Sequence, residues 1–576
     1  MKRFSLPIGV LLLSLTGCLK PATRSGVKET AAPGEADAKP FGSDVTNALT
    51  PDAYLPNLSC DVPGTFRGLR AWRRLSNIEV QNTAADVFGV KDADVSGFPG
   101  DLPKKEIFDT VNVESNFMSS SRWGGYETFA VSLASKVDLN RFFPCIAEGA
   151  SCLTKQLPDL LSLAWRRPAT QIEVDGLSNL YNTVIKDGSM PVQAVRVVIQ
   201  AIVLSQNFLY RSELGVRQND NSYGLTDWEM ASAFSYIIWR RPPNEELRKI
   251  VLAGGFSQAT NLRPIVEKMF NDPLAKEGWK DFAAQWLETG KIETATKKAM
   301  EYNAAVKKSL IDEARNFFTD TMFSASSKTY KQLLTADYSV AEPALDFIYE
   351  AKSIAGKTPF IHPERRGLLG LAGFLSSHAL PDNSNPILRG VFINDKILCN
   401  DFAPAPPFTP PESKPGLSNR ELFRQHNNPV CASCHTAIDN VGFAFENFDG
   451  LGKFRTTDAG DAITVDGKLT LDGRSVTVAS PREMSEAIGN SLDGQRCYVR
   501  TLFRYSLGRT ELFPRPLIGS NEPPVTKLTA KATLDRCQIE YAAKQMNSAA
   551  GDLRTGVIEL LSSNGFRYRL KGELDK

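Results

Sequence analysis

Apolar residues along this chain recur at three- and four-residue intervals over long stretches, the spacing that lines one face of a helix. The runs MASAFSYIIW at 230–239 and VRVVIQAIVL at 195–204 show it most densely. Helix starts are marked too. Ser76 with Glu79, Thr170 with Glu173, Thr226 with Glu229, Ser418 with Glu421 and Ser480 with Glu483 each place a hydroxyl three residues before a carboxylate. This is the capping-box pattern, in which each side chain takes up an orphan N–H of the first turn. Pro481 adds a proline at the favoured first helical position. Strict alternation is confined to 462–478, where Ile463, Val465, Leu469, Leu471, Val476 and Val478 surround two Asp-Gly pairs and predict a small hairpin or meander. The expected fold is mainly α, several helical units with a small β-hairpin insert.

Two other patterns refine this. Residues 400–416, NDFAPAPPFTPPESKPG, are too rich in proline for a helix or central strand and predict an extended surface segment. Ser205-x-x-Phe208-x-Tyr210-Arg211 is echoed by Ser563-x-x-Phe566-x-Tyr568-Arg569, each closing an apolar helix. Each also follows an arginine-bearing apolar segment, LLSLAWRRP or RTLFRYSLGR. A duplicated helical hairpin would make the two segments superpose as matching helix ends.

At 576 residues the chain outgrows a single hydrophobic core, so several packed units are expected. Its 67 Lys and Arg nearly balance 65 Asp and Glu, and no basic block stands out, so composition offers no nucleic-acid partner. Lys2 and Arg3 precede an apolar run from Ile8 to Leu15 that is too short to span a bilayer and reads as an export signal. Leu15-Thr16-Gly17-Cys18 resembles a bacterial lipobox, in which the signal is cut before the cysteine and Cys18 receives lipid. A plain signal peptide with a chance cysteine is the alternative. The expected location is the cell envelope, with the chain lipid-anchored to a membrane and Leu19 in place of Asp compatible with the outer membrane, facing periplasm or surface. The residues after Cys18, up to about Pro51, lack an apolar period and read as a tether.

With Cys18, Cys431 and Cys434 set aside, six of the nine cysteines remain. In an oxidising compartment they invite disulfides, first Cys145 with Cys152 and next Cys497 with Cys537, while Cys60 and Cys399 stand open between bridges and buried thiols. Cys431-Ala-Ser-Cys434-His435 is a CxxCH motif. Its two thiols are spaced to add to the two vinyl groups of haem, and the adjacent imidazole reaches the iron, so one haem c is the expected cofactor. A Cys431–Cys434 disulfide or a zinc site are the alternatives, though no second CxxC or HxxxH supplies further zinc ligands. Met484, His378 and His426 are the candidates for a sixth iron ligand, beside an open position. A single motif excludes a self-contained two-haem peroxidase. No Ser-His-Asp or paired-carboxylate pattern points to a hydrolase.

RRLSNIEVQNTAADVFGV, AWRRPATQIEV, FLYRSE with LTDWEMASAFSYIIWRRPPNEEL, RRGLLGLAGFLSSHALPDNSNPILRGVFINDKIL with NNPVCASCHTAIDNVGFAFENFDGLGKFR, and CYVRTLFRYSLGR through SSNGFRYR follow one another along the chain. In that order they resemble the planctomycete-type cytochrome-c-like family of exported proteins, assembled from consecutive domains of unknown function. The resemblance implies a signal peptide at 1–17, a tether at 18–62, helical domains at 63–140, 141–215 and 216–355, a cytochrome-c-like domain with the β insert at 356–480, and a C-terminal helical domain at 481–576. Asn440 stands where the family has proline, Ser384-Asn385-Pro386 replaces its Thr-Ser-Pro turn, and Val80 takes the place of a tyrosine. The family-patterned residues Arg389, Gly390, Asp439, Gly442, Glu446, Asp449 and Arg455 surround the motif. Arg389 or Arg455 would pair with haem propionates, or these residues would form a structural ion-pair and turn network eased by Gly442, Gly450 and Gly452. The implied role is periplasmic or surface electron transfer with an unidentified redox protein. Its alternatives are an oxidoreductase acting on its own substrate at the haem, and a non-catalytic scaffold or binding protein with a CxxC disulfide.

Overall fold

The computed structural model describes residues 60–61, 64, 66–70, 73–101, 108–110, 118–325, 328–403, 416–423, 429–519 and 528–571. The signal segment, Cys18, the tether, most of the proline-rich run and His426 lie outside the described residues. The described residues are 57% helical, with small sheets of mostly two-residue strands. Among the described residues no helix is long and apolar enough to cross a membrane.

The caps explain where helices begin. Ser76 with Glu79, Thr170 with Glu173 and Thr226 with Glu229 form reciprocal boxes at the helices Asn77–Phe88, Gln171–Lys186 and Asp227–Trp239. Ser480 accepts from the Glu483 N–H, but Glu483 takes the N–H of Ala479 instead of closing a box. Ser418 makes no cap; its hydroxyl donates to Asp461 at 2.8 Å.

Apolar faces gather into two cores. One is built from Leu75 to Leu209 and borrows Tyr236; the other runs from Leu225 to Phe566 and borrows Phe108. The echo in the sequence is repeated in three dimensions. The helix Pro191–Leu204 stops at Ser205, whose hydroxyl donates to Ile202 O at 2.7 Å, and a one-turn helix and the strand Tyr210–Arg211 follow. The helix Leu553–Ser562 stops at Ser563, which donates to Leu560 O at 2.9 Å, before the same one-turn helix and the strand Tyr568–Arg569. Both serines are extended, at φ −70°, ψ 149° and φ −73°, ψ 155°, and Phe208 and Phe566 are fully buried.

The likeness extends to the strand partners. Arg73–Arg74 pairs antiparallel with Tyr210–Arg211, and Tyr223–Gly224 with Tyr568–Arg569, in the same register. Leu75 N donates to Leu209 O at 2.8 Å and Leu225 N to Arg567 O at 3.0 Å, and each leucine leads into a capping box. The chain is thus built on a duplicated unit. Between the first helix and the closing helices the first copy holds residues 89–149, whereas the second holds 240–491, including the CxxCH segment.

Charge seals the seam between the cores. Arg240, in a left-handed conformation at the end of Asp227–Trp239, reaches Glu79 at 3.1 Å and also pairs with Asp109, while Thr83 and Tyr236 share a 2.7 Å hydrogen bond. Burial pushes the Glu79 carboxyl up, but the guanidiniums of Arg240, Arg211 and Arg73 outweigh it and hold the carboxyl below its ordinary range.

The strand insert differs in detail from the sequence pattern. Gly467–Leu471 and Arg474–Val478 form a hairpin across Asp472-Gly473, both residues at positive φ as a tight two-residue turn demands. The first Asp-Gly pair is no turn, since Gly467 opens the strand. A second hairpin, Thr457–Asp458 with Asp461–Ala462, precedes it across Ala459-Gly460. Disulfides join Cys145 to Cys152, Cys399 to Cys497 and Cys60 to Cys537. The expected Cys497–Cys537 bridge is therefore replaced by two longer ones, because the helix Leu492–Leu507 presents Cys497 to the segment after Ile393–Ile397, and Cys60 meets the helix Ala530–Ser548.

Candidate functional site

Cys431, Cys434 and His435 sit on the helix Pro429–Gly442. Positions three and four apart share a helix face, so both thiols and the imidazole project to one side. Both thiols are half-buried and in no disulfide. The His435 Nδ1 lies 3.2 Å from Asp439 Oδ1, one turn along the helix. Cys434 Sγ is 3.9 Å from Ile518 O, in the strand Leu517–Ile518 that pairs parallel with Asp401–Phe402.

A close backbone crossing fixes this helix. Gly442 packs on the carbonyl of Pro386 and Gly390 on that of Ile438, so the helix Pro386–Phe392 touches the motif helix with no side chain between them. Gly442 has φ −71°, an ordinary helical value; contact, not backbone freedom, demands glycine here. Asn394 ties the two helices further, donating to Gly390 O at 2.9 Å and Ala437 O at 3.2 Å. Asn394 belongs to a π-helical turn, Ile393–Ile397, packed against the motif helix, and its Lys396 carbonyl accepts from the Trp286 indole at 3.0 Å. Such turns recur at functional sites. Nothing in the sequence marked it.

Arg389 is fully buried and donates to the carbonyls of Phe445, Phe448 and Asp449 at 2.8 Å and of Leu375 at 3.1 Å. Arg455 bonds Ser384 at 2.7 Å, Asp458 at 2.8 Å, Asn383 at 3.0 Å and Glu446 at 3.1 Å. Both guanidiniums are consumed in holding the loop after the motif helix, which is the ion-pair and turn network rather than a propionate clamp. Burial pushes the Glu446 carboxyl above its ordinary range despite Arg389, Asn419 and Arg455.

Two of the three candidate sixth ligands, Met484 and His378, are buried in the core. Met484 is fully buried on the helix Pro481–Asn490, packed at Gly467 beside the Asn440 carbonyl. His378 is 3% exposed; its Nδ1 meets Ser377 Oγ at 2.9 Å and Phe374 O at 3.1 Å, and its Nε2 lies 3.4 Å from Glu288. His426 lies outside the described residues. Among the described residues no set of three or more His, Cys, Asp and Glu side chains gathers as a metal site. The donor set does suit a thioether-bound haem, having two thiols outside any disulfide and one imidazole on a shared face. Sequence reasoning missed the Asp439 contact, although His and Asp four apart on a predicted helix carry that signal.

Four consecutive family models match the chain, each described as a protein of unknown function. They are PSD3 (DUF1587) at 73–138, PSD5 (DUF1595) at 152–213, PSD4 (DUF1592) at 225–351 and PSCyt3 (DUF1588) at 365–458. PSD3 and PSD4 begin near equivalent points of the duplicated unit, and PSCyt3 contains Cys431, Cys434 and His435. No curated protein and no solved structure matches. Four models in this order, covering more than half of the residues, place the chain in the planctomycete cytochrome-c-like family of proteins assembled from these domains of unknown function.

Proposed function

We propose that this chain carries one covalent c-type haem, held by Cys431, Cys434 and His435, and works in electron transfer at the cell envelope. The observation that carries the reading is the shared helix face, on which two thiols outside any disulfide stand with an imidazole whose Nδ1 is already engaged by Asp439. When bound, haem supplies a one-electron iron couple. Cys431 and Cys434 would anchor it by thioether bonds, and His435 would present Nε2 to the iron. The crossing at Gly390 and Gly442 would hold that face still. The signal sequence and Cys18 support export and lipid anchoring to a membrane, with the outer membrane favoured, and the partner would be another redox protein.

A second reading, an oxidoreductase acting on its own substrate at the iron, is favoured by one observation. Met484 and His378 are both committed to core contacts, which favours an open iron position. The test is to produce the full chain with a cytochrome c maturation system and record its absorption, reduced, in alkaline pyridine. A haem c band at one haem per chain, retained on denaturation, is the expected result. No band, with Cys431 and Cys434 disulfide-bonded by mass, would overturn the proposal in favour of a scaffold. Recovery of Cys18 as a lipidated N-terminus tests the anchoring separately.

A further inference from the structure

We infer that Asp439 is a positioning residue for the iron couple, lowering its potential through the Nδ1–H of His435; this rests on the proposal that the chain binds haem. The two side chains are four residues apart on one helix, with Nδ1 and Oδ1 3.2 Å apart. They are 22% and 23% exposed, so the pair is largely shielded from water. The backbone beneath them is rigid on both sides, since Asn394 holds the Ala437 carbonyl and Gly390 and Gly442 bring the crossing helix into contact around Ile438 and Gly442. Asp439 lies between those fixed points, so its backbone is held one turn from His435.

A carboxylate acceptor on Nδ1–H does two things. It fixes the ring orientation and the tautomer that leaves Nε2 for the metal, and it makes the imidazole a stronger donor. A more basic axial ligand stabilises the oxidised iron over the reduced, so the potential falls. The charged partner sets this site apart from one in which a neutral backbone carbonyl accepts the same proton, because a charge-assisted hydrogen bond is roughly twice as strong. An i, i+4 ion pair of purely structural use would leave the potential untouched.

The experiment uses the haem-loaded full chain with Asp439→Asn and Asp439→Glu, titrated potentiometrically at one fixed pH, with haem content and melting temperature measured in parallel. In the Asn variant the reduced-to-oxidised ratio at a given ambient potential is expected to rise about tenfold, which for a one-electron couple is about 59 mV upward. The Glu variant, which keeps the charge, is expected to return most of that shift. Full haem content with an unmoved potential in the Asn variant overturns this inference alone. Haem lost from the Asn variant and not restored in the Glu variant overturns it too, since the carboxylate would then serve the fold. A wild-type chain without haem overturns the function reading and this inference with it.

Discussion

Replacing Gly442 with alanine puts a methyl group into the crossing of two helices. A Cβ there would stand 2.7 Å from the carbonyl carbon of Pro386 and 3.1 Å from the Gly390 nitrogen, with the Pro386 oxygen nearer still. Carbon contacts settle at about 3.5–4.0 Å, so the helices must part by at least about 0.8 Å. Overpacking of this kind costs about 1–3 kcal/mol. The Arg389 bonds to the Phe445 and Phe448 carbonyls, both 2.8 Å and both just beyond Gly442, stretch with it, and a buried hydrogen bond is worth about 1 kcal/mol. Alanine regains about 1 kcal/mol of helix propensity. The net loss should be about 2–4 kcal/mol, which in a chain of this size lowers the melting temperature by roughly 2–3 °C. Differential scanning calorimetry of the full chain measures it. Gly124→Ala is the matched control: it is helical, a Cβ there meets nothing within 4 Å, and the variant should melt at or slightly above wild type. Gly390→Ala added to Gly442→Ala should cost less than the sum, since both part the same helices. A Gly442→Ala protein as stable as its parent would refute the close crossing.

The Cys399–Cys497 bridge closes a long loop, with a sequence separation of 98 against 7 for Cys145–Cys152. Removing both cysteines of the long bridge as alanines should cost about 4.7 kcal/mol and the short one about 2.5 kcal/mol on loop-entropy grounds; thermal melts giving the opposite order would sink that account. Acid should weaken the fold through His378 and Glu288. Burial holds His378 below 6.5 despite its carboxylate neighbour; burial also pushes Glu288 up, but hydrogen bonds from His378 and Lys291 bring it to about 2. The unfolded chain therefore takes up each proton first as pH falls, and stability drops from about 6.5 downward for His378 and from about 4.5 toward 2 for Glu288. Melting temperatures at pH 7 and pH 5 should converge in His378→Gln relative to wild type, and an unchanged difference would exclude His378 as the source.

Features encoded within a few neighbouring residues are legible in the sequence. Three capping boxes form as written, because the whole interaction lies within one turn, and the Asp472-Gly473 turn follows from the same locality. The Ser205 and Ser563 echo is legible because side-chain capping and a buried phenylalanine recur in the same order. Features that depend on who meets whom are not. Ser418 has the letters of a cap yet spends its hydroxyl on Asp461, far along the chain. Cys497 has Cys537 nearer in sequence but finds Cys399. Ala459 at positive φ hides a turn that glycine or asparagine would have announced. At the site, the spacing of Cys431, Cys434 and His435 carries the helix face with it. The fates of Arg389 and Met484 depend on burial that spacing does not encode.

The Cys60–Cys537 bridge sets an order of events. Gly68 lies against Arg569, and Leu570 N donates to Gly68 O at 2.9 Å, so the bridge reinforces a seam where the two ends of the described chain already meet. A chain delivered from its N-terminus presents Cys60, Cys145, Cys152, Cys399, Cys431, Cys434, Cys497 and Cys537 in turn. Only Cys145–Cys152 joins consecutive thiols in that order, while Cys399 must pass over the motif pair and Cys60 over six thiols before its partner arrives. Indiscriminate oxidation during delivery would trap it with Cys145. Correct assembly therefore calls for a late closure or a disulfide isomerase, and the last ring to shut encloses both copies of the duplicated unit and the motif between them.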